Sequence, residues 1–386
     1  MKVLLCGDYS SVHSELSEAL KNKGHDVTVI SDGDSYKAFP ADIKLEANQS
    51  LPNNYVFKAF YLLVDFIGLA GIFKYFKQMK NVKLEEYDVV QLINVAPIKH
   101  FGAFGNFFFV RRVAKCSKKV VLCALGDDAC WSKACLKGVF KYSPLDRISL
   151  FNFYKYYYSL KYVYSPAYRF LDFFVNYISS AVVAGLDDYR IAYEKSGKKV
   201  YFIRLPIGEA KFKKTCKEGG DYSVKIFHAW QYGKEVKKGN DKLDEAVQAA
   251  LEEVEGVDVE YRVAGGMKYD DFIKAYDCCD VFIDQAYSYD RGVTGALGMC
   301  SGKVVLSGFE LDSPLGLMGL ENVKNNGVNV SGDVEEDKKS LIEILLNPGL
   351  RKIIQDNAYD FAVKNYRSDL IAEQYLAVWR HHLDLS

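Results

Sequence analysis

Residues Lys2–Ile30 read KVLLCGDYSSVHSELSEALKNKGHDVTVI, and the pattern of this stretch decides the fold. Lys2–Cys6 is an apolar run of strand length, Gly7 to Ser11 is a turn of small and polar residues, and a helix follows to about Lys23. Gly24-His25 ends that helix, and Asp26–Ile30 is a second strand. Strand, helix and strand in this order form a βαβ unit, whose crossover makes the two strands parallel.

The alternation continues outward. Strands are predicted at Asp88–Ile93, Lys119–Ala124, Ser180–Ala184 and Val200–Ile203, with helical stretches between them, which predicts a parallel sheet covered by helices on both faces. Leu205-Pro206-Ile207-Gly208 breaks the pattern, and the polar run Lys211–Asp221, with Gly219-Gly220, is the expected linker. A second series then begins. Val224–Ala229 is a strand, and from Asp241 to about Glu255 the apolar residues Leu243, Ala246, Val247, Ala250, Leu251 and Val254 share one helical face. Val257–Val263, Val281–Asp284 and Lys303–Ser307 supply further strands, Asp270–Cys279 a helix, and two or three helices follow Asp333. The expectation is an α/β chain of two doubly wound, Rossmann-like domains, at 1–205 and 222–367, with a last helix over 368–386.

A length of 386 residues agrees with two cores. Lys plus Arg and Asp plus Glu both number 50, so the broad positive field on which nucleic-acid binders depend is missing, and nucleic acid is excluded as a partner. The nine cysteines form no C-x-x-C pair, which indicates neither a zinc site nor a redox motif; an odd, scattered set predicts reduced thiols in the cytoplasm. The N-terminus has no signal-peptide pattern, and the most apolar window, Tyr61–Phe73, contains Asp65 and falls short of the ~20 residues a membrane span needs.

In open α/β sheets ligands bind beyond the carboxyl ends of the strands, so the residues there are the site candidates. In the first half they are Gly7–Ser11, Asn94 and Gly126-Asp127-Asp128. Gly7-Asp8-Tyr9-Ser10-Ser11-Val12 lacks the later glycines of a dinucleotide fingerprint, which argues against NAD. His13, in the first helical turn, reads either as a solvated histidine or as a group facing a cleft. Asp127 and Asp128 read either as a helix cap or as a base and sugar ligand. In the second half Lys234, Lys237 and Lys238 precede a helix and offer a diphosphate cradle. Ala264-Gly265-Gly266 and Asp284-Gln285-Ala286-Tyr287 follow the next two strands.

The order of these features resembles the C-terminal domain of family 4-type GT-B glycosyltransferases. Four ordered segments carry the likeness: Lys238-Gly239-Asn240-Asp241, Ala264-Gly265-Gly266, Cys279-Asp280-Val281-Phe282-Ile283-Asp284-Gln285, and Gly292-Val293-Thr294 with Met299 and Gly302-Lys303. Gly24-His25-Asp26-Val27 and Gly126-Asp127-Asp128 resemble motifs of the N-terminal domain. The resemblance implies two domains facing a cleft, a nucleotide-sugar donor as substrate with no cofactor or metal, retention of anomeric configuration, and a last helix that crosses back to the first domain. It assigns Lys234 and Lys238 to the diphosphate, Gly292, Val293 and Thr294 to sugar and phosphate, and Gly266 and Asp284 to the nucleoside, with Tyr287 among the donor-binding residues. His13, Asp127 and Asp128 are the proposed acceptor chemistry. Many members carry two glutamates at positions that align with Tyr289 and Leu297; Asp290 is the neighbouring carboxylate. That departure leaves three readings: a transferase with an altered donor site, a nucleotide-sugar epimerase, or a homologue that only binds.

Aromatic residues cluster in two places. Phe140–Phe174 holds 14 Phe or Tyr with an excess of positive charge, and Tyr55–Lys80 repeats the composition with Lys58, Lys74, Lys77 and Lys80. Such mixtures suit an anionic headgroup layer or, alternatively, an enlarged aromatic helical layer. Capsule-type members of the resembled family extend polyprenyl-linked saccharides, which implies a saccharide or lipid-linked acceptor and a place on the inner face of a membrane.

Overall fold

The computed structural model describes residues 1–34, 39–46, 54–214, 223–230, 233, 235–265 and 269–384. Among them the chain forms thirteen strands and fifteen α-helices in two compact units. Unit 1 comprises Met1–Lys137, Tyr156–Pro206 and Ser368–Ser386; unit 2 comprises Gly138–Lys155 and Ile207–Arg367.

Unit 1 contains, in chain order, β1 (Lys2–Cys6), α1 (Val12–Asn22), β2 (Asp26–Ser31), β3 (Ile43–Lys44), α2 (Tyr55–Phe66), α3 (Ile72–Met79), β4 (Tyr87–Leu92), α4 (Gly102–Ala114), β5 (Ser117–Ala124), α5 (Ala129–Leu136), α6 (Tyr157–Tyr164), α7 (Pro166–Ile178), β6 (Ala181–Ala184), α8 (Asp187–Lys195) and β7 (Val200–Phe202). The strands form one parallel sheet in the order β3-β2-β1-β4-β5-β6-β7. Alternate residues of β1 enter different cores. Leu4 and Cys6 pack with Phe101, Phe109 and Leu171, while Val3 and Leu5 pack with Leu16, Leu20 and Trp379. A sheet buried on both faces needs apolar residues at every position, which is why its strands read as continuous apolar runs.

Unit 2 contains β8 (Val224–Ala229), α9 (Glu235–Lys238), α10 (Asn240–Glu253), β9 (Val259–Ala264), α11 (Tyr269–Cys278), β10 (Val281–Ile283), α12 (Val293–Cys300), β11 (Val304–Ser307), β12 (Val323–Lys324), β13 (Gly327–Asn329), α13 (Val334–Leu346) and α14 (Pro348–Asn365). Its sheet has the order β12-β13-β11-β10-β8-β9 and is parallel except for the β12–β13 hairpin. That hairpin was not predicted, because strands of two and three residues carry no readable period. Again the sheet separates two cores, with Ile226 and Ile283 on one side and Phe227 and Phe282 on the other.

The last helix, α15 (Ser368–Asp384), belongs to unit 1. Ile371, Tyr375, Leu376 and Trp379 fill the core behind β1 and β5, and Lys23 pairs with Glu373 at 2.7 Å. The segment Gly138–Lys155 groups with unit 2 instead of with the chain on either side of it. The Lys141 amide donates to the Tyr289 hydroxyl at 2.6 Å, the Tyr142 hydroxyl donates to Glu310 at 2.7 Å, and Arg147 pairs with Asp241 at 2.7 Å. The aromatic stretch 140–174 is therefore divided between the units, and Phe140, Tyr142, Tyr156, Tyr162 and Tyr168 within it are buried core residues.

Candidate functional site

In unit 1 the carboxyl ends of β1, β4 and β5 bring Gly7–His13, Asn94 and Gly126–Asp128 to one edge of the sheet. Gly7 has φ 75°, and a Cβ there would lie 2.4 Å from the Pro97 carbonyl oxygen, so both backbone and packing require glycine. Asp8, fully buried, takes the place of a capping residue for α1: its Oδ1 accepts from the His13 amide at 3.0 Å and its Oδ2 from Ser14. Burial pushes its carboxyl up to about 6.

His13 is also fully buried. Its Nδ1 lies 2.7 Å from the Gly7 carbonyl and its Nε2 3.2 Å from Gln91 Nε2, while Gln91 Oε1 accepts from Trp379 Nε1 at 3.3 Å. One consistent assignment follows: Trp379 donates to Gln91, Gln91 to His13 Nε2, and His13 Nδ1–H to Gly7. Burial lowers the imidazole to about 4, so it is neutral.

Asp128 caps α5. Its Oδ1 accepts from the Trp131 amide at 2.8 Å and its Oδ2 from the Tyr193 hydroxyl at 2.8 Å, and burial raises it to about 7. Asp127 is half-buried and accepts from Ser159 Oγ. Of the three acceptor-side candidates, His13 and Asp128 are fully buried with their polar atoms turned into the fold, and Asp127 alone is half-buried.

In unit 2 the corresponding edge carries the ends of β8, β10 and β11. His228, fully buried at the end of β8, lies 2.8 Å from the Tyr261 hydroxyl through Nδ1 and 2.9 Å from Asn240 Nδ2 through Nε2. Tyr261 in turn donates to Asp244 at 2.7 Å. Burial lowers His228 to about 4, and it serves as a neutral strut between β8, β9 and α10. Asn240 also donates to the Asp284 carbonyl at 3.3 Å, which ties the start of α10 to the end of β10.

Asp284, 2% exposed, lies 3.8 Å from Lys238 Nζ and accepts from Ser307 Oγ at 3.4 Å. The chain then turns sharply. Tyr287 has φ 56°, and its ring packs against Gly239 and Gly332, where a Cβ would come within 2.8 Å and 2.6 Å of it. Asp290 and Arg291 are each 1% exposed. Arg291 Nε donates to the Tyr366 hydroxyl at 2.9 Å, Nη1 pairs with Asp312 at 2.5 Å, and the guanidinium stacks over Phe309 and Phe361. Burial opposes its charge, but Tyr366, Asp290 and Asp312 outweigh that and raise its pKa.

These contacts fix the start of α12. Gly292 is its N-cap, no side chain among the described residues caps the helix, and a Cβ on Gly292 would meet nothing within 4 Å. Gly292, Val293 and Thr294 are all half-buried, and the first-turn amides of a helix have no partner within the helix itself. Lys234 and Gly266 lie outside the described residues. Tyr289, in place of the first glutamate of the resembled family, packs on Phe140 and Tyr142 at 5.2 and 5.3 Å. Asp290 is committed to Arg291 and its own loop. Sequence reading missed Arg291 and Glu310. Glu310 sits just beyond β11, where it accepts from Tyr142 and from Asn329 Nδ2 at 2.9 Å; neither belongs to a recognisable motif.

Among the described residues no group of three His, Cys, Asp or Glu is placed to hold a metal ion. A cavity of about 170 Å³ lined by Lys225, Phe227, Glu260, Arg262, Lys274 and Cys278 lies under β8 and β9, away from the strand ends.

No family model matches the sequence, and no curated protein matches it. Solved structures match over the whole chain. Sucrose-phosphate synthase from Thermosynechococcus elongatus aligns with a TM-score of 0.60 at 10% identity, covering 100% of this chain and 99% of that one. Anabaena HepE, solved with UDP and glucose, aligns at 0.55 and 14% identity, covering 99% and 100%. A Listeria monocytogenes protein assigned as a UDP-N-acetylglucosamine 2-epimerase aligns at 0.51 and 12% identity, covering 100% and 97%. At these identities the likeness is one of fold: the chain has the two Rossmann-like α/β domains of GT-B glycosyltransferases.

Proposed function

We propose that this chain is a glycosyltransferase that binds a nucleotide-diphosphate sugar at the strand ends of unit 2 and passes the sugar to a saccharide or lipid-linked saccharide. The observation that carries the reading is the start of α12. It follows β10 beside the point where the strand order reverses, between β8 and β10; no side chain among the described residues caps it, and a Cβ on its N-cap Gly292 would meet nothing within 4 Å. A helix N-terminus of this kind stabilises phosphate by its amide donors and its partial positive charge. Lys238, held near Asp284 at the same edge, supplies a full charge. Together they would neutralise a diphosphate without a protein-bound metal. The fold likeness adds weight, since HepE was solved with UDP and with UDP-glucose. On the acceptor side Asp127 is the proposed polar group, with His13 and Asp128 holding the loops that present it. Hexosyl transfer with retention is what the family resemblance implies for the chemistry.

Calorimetry with UDP, GDP and ADP as probes tests the donor site. Lys238→Ala should weaken binding of the preferred diphosphate by about 1.5–3 kcal/mol, the worth of a charged hydrogen bond. Equal affinity in wild type and variant places the phosphates elsewhere. Tyr289 favours a second reading, because the position of a donor-binding glutamate has become an anchor for Gly138–Lys155. A chain that binds nucleotide without chemistry would release none from a sugar donor, whereas a transferase hydrolyses it slowly without acceptor.

A further inference from the structure

Helix α2 inverts the usual rule for a surface helix. It is strongly apolar, yet Tyr55, Phe57, Phe60 and Leu63 are 87, 65, 64 and 59% exposed, and the one buried residue of the helix is Asp65. That carboxylate accepts from Tyr168 at 2.7 Å, Tyr157 at 2.9 Å and Lys161 at 3.0 Å, all from α6 and α7. The helix is thus pinned by its polar residue while its apolar side faces outward. Immediately after it, a Cβ on Gly68 would lie 2.5 Å from Ala167 and 3.0 Å from Phe104, so the turn is packed closely as well.

The exposed apolar surface continues onto the neighbouring helices. On α3, Phe73 is 86% exposed. Ring contacts then run from Phe76 to Phe108 at 5.6 Å, Phe108 to Phe107 at 5.5 Å and Phe107 to Phe170 at 5.2 Å, which joins α3, α4 and α7. Phe173 and Tyr177 stack at the far end of α7 and stand exposed. Exposed apolar rings in this number on a folded protein mark an interaction surface. The charges of α2 and α3 are of one sign: the two helices carry Lys58, Lys74 and Lys77, with Lys80 just beyond, and the one acid in either helix is the buried Asp65. Among the described residues, Lys77 alone of these lysines lies near a carboxylate, 3.6 Å from Glu46. Beside Phe173 and Tyr177 a groove of about 670 Å³ is lined by Lys133, Arg169 and Lys198, with Asp172 opposing them.

We infer that unit 1 docks on an anionic lipid bilayer through the outer face of α2, α3, α4 and α7, with the Lys133–Arg169–Lys198 groove receiving a headgroup phosphate. Rings inserted at headgroup depth with lysines reaching anionic phosphates account for a surface that is both apolar and positive on a chain of zero net charge. Among the described residues no helix is long and apolar enough to cross a membrane, so the contact is in the plane of the interface. The inference concerns unit 1 alone and holds whether or not unit 2 binds a sugar donor.

Flotation of the full chain with phosphatidylcholine vesicles, with and without phosphatidylglycerol, tests it. The protein should float with the anionic vesicles and stay behind with the neutral ones. Lys58→Gln and Lys74→Gln should each lower partitioning about fivefold, the equivalent of ~1 kcal/mol per lysine near the surface. The triple variant Phe57→Ser, Phe60→Ser, Phe73→Ser should lose flotation while its circular dichroism and UDP affinity stay those of the wild type, because these side chains leave the core untouched. A Phe60→Trp variant supplies a fluorescent reporter that brominated lipid should quench. Failure to float with anionic vesicles, flotation indifferent to these substitutions, or a reporter that brominated lipid leaves unquenched overturns the proposal. So does a dimer in sedimentation that the triple variant dissociates, since the face would then belong to a second copy of the chain.

Discussion

Asp128 serves two structural ends with one carboxylate, capping α5 and accepting from Tyr193. Asp128→Ala should cost about 1 kcal/mol for the lost cap and about 1–3 kcal/mol more for the Tyr193 hydroxyl left buried without its acceptor. Asp128→Asn keeps an acceptor for the Trp131 amide and should cost much less. The two also differ in pH dependence from the wild type. Burial raises the folded carboxyl to about 7, against ~3.9 in an unfolded chain. Between these values the folded state holds the proton and the unfolded state does not. The contribution is therefore complete below about pH 4 and is lost as the pH rises through about 7. Urea unfolding of wild type and Asp128→Asn from pH 4 to 8 should show that decline in the first and its removal in the second; parallel curves would show that Asp128 does not titrate as its burial requires. The cap was legible in the sequence as one of two readings, because an aspartate between an apolar strand and a helix has few other local roles. The burial of His13 was not, since it depends on Gln91 and Trp379, which lie far along the chain.

Among the elements, α2 is attached through a buried charge. Asp65 and Lys161 are both buried, and burial lowers the lysine's pKa while Asp65 acts to raise it. Desolvating both groups offsets most of their attraction, but removing one leaves the other uncompensated. Asp65→Ala should destabilise the protein by about 3–5 kcal/mol, and Asp65→Leu combined with Lys161→Met should recover most of that loss. A double variant as unstable as the single one in urea titrations would mean that Tyr157 and Tyr168, and not the charge balance, hold α2 in place. This contact explains why the element was hard to read. Strands such as Val281–Ile283 and Val304–Ser307 announce themselves because every residue is buried and nearly all are apolar. Helix α10 does so because Leu243, Ala246, Val247 and Ala250 share its inner face. In α2 the apolar residues are outside and the inward contact is polar, so periodicity points to no core. The same limit applied to Gly138–Lys155, whose place in unit 2 is set by single side chains, Tyr142, Arg147 and Tyr289, from distant sequence.

For the molecule as a whole, the two sheets share one construction, a mostly parallel stack with a point of reversal next to its first strand, at β1 in one unit and β8 in the other. Burial on both faces asks of the strands only that they be apolar, a demand that many sequences meet and that lets the fold persist at 10 to 14% identity to its solved neighbours. Both units therefore present strand ends suited to a ligand, and the chemistry there separates them. In unit 1 the helix that follows the first strand has its amides closed by Asp8, so that end offers little to an anion. In unit 2 no side chain among the described residues caps the start of α12, and Lys238 stands at the same edge. Hydrogen exchange across the full chain, with UDP as the probe and the other diphosphates beside it, should read this difference directly. Bound diphosphate should slow exchange at Gly292, Val293 and Thr294, whose amides would donate to it, and at the loop from Asp284 to Arg291 that holds them. Amides from Gly7 to His13 should exchange at an unchanged rate, since Asp8 already takes the His13 donor and the Gly7 and Val12 amides donate to the carbonyls of Ile30 and Tyr9. Protection at Gly7–His13 without protection at Gly292–Thr294 would move the nucleotide to unit 1 and leave the open end of α12 to the acceptor.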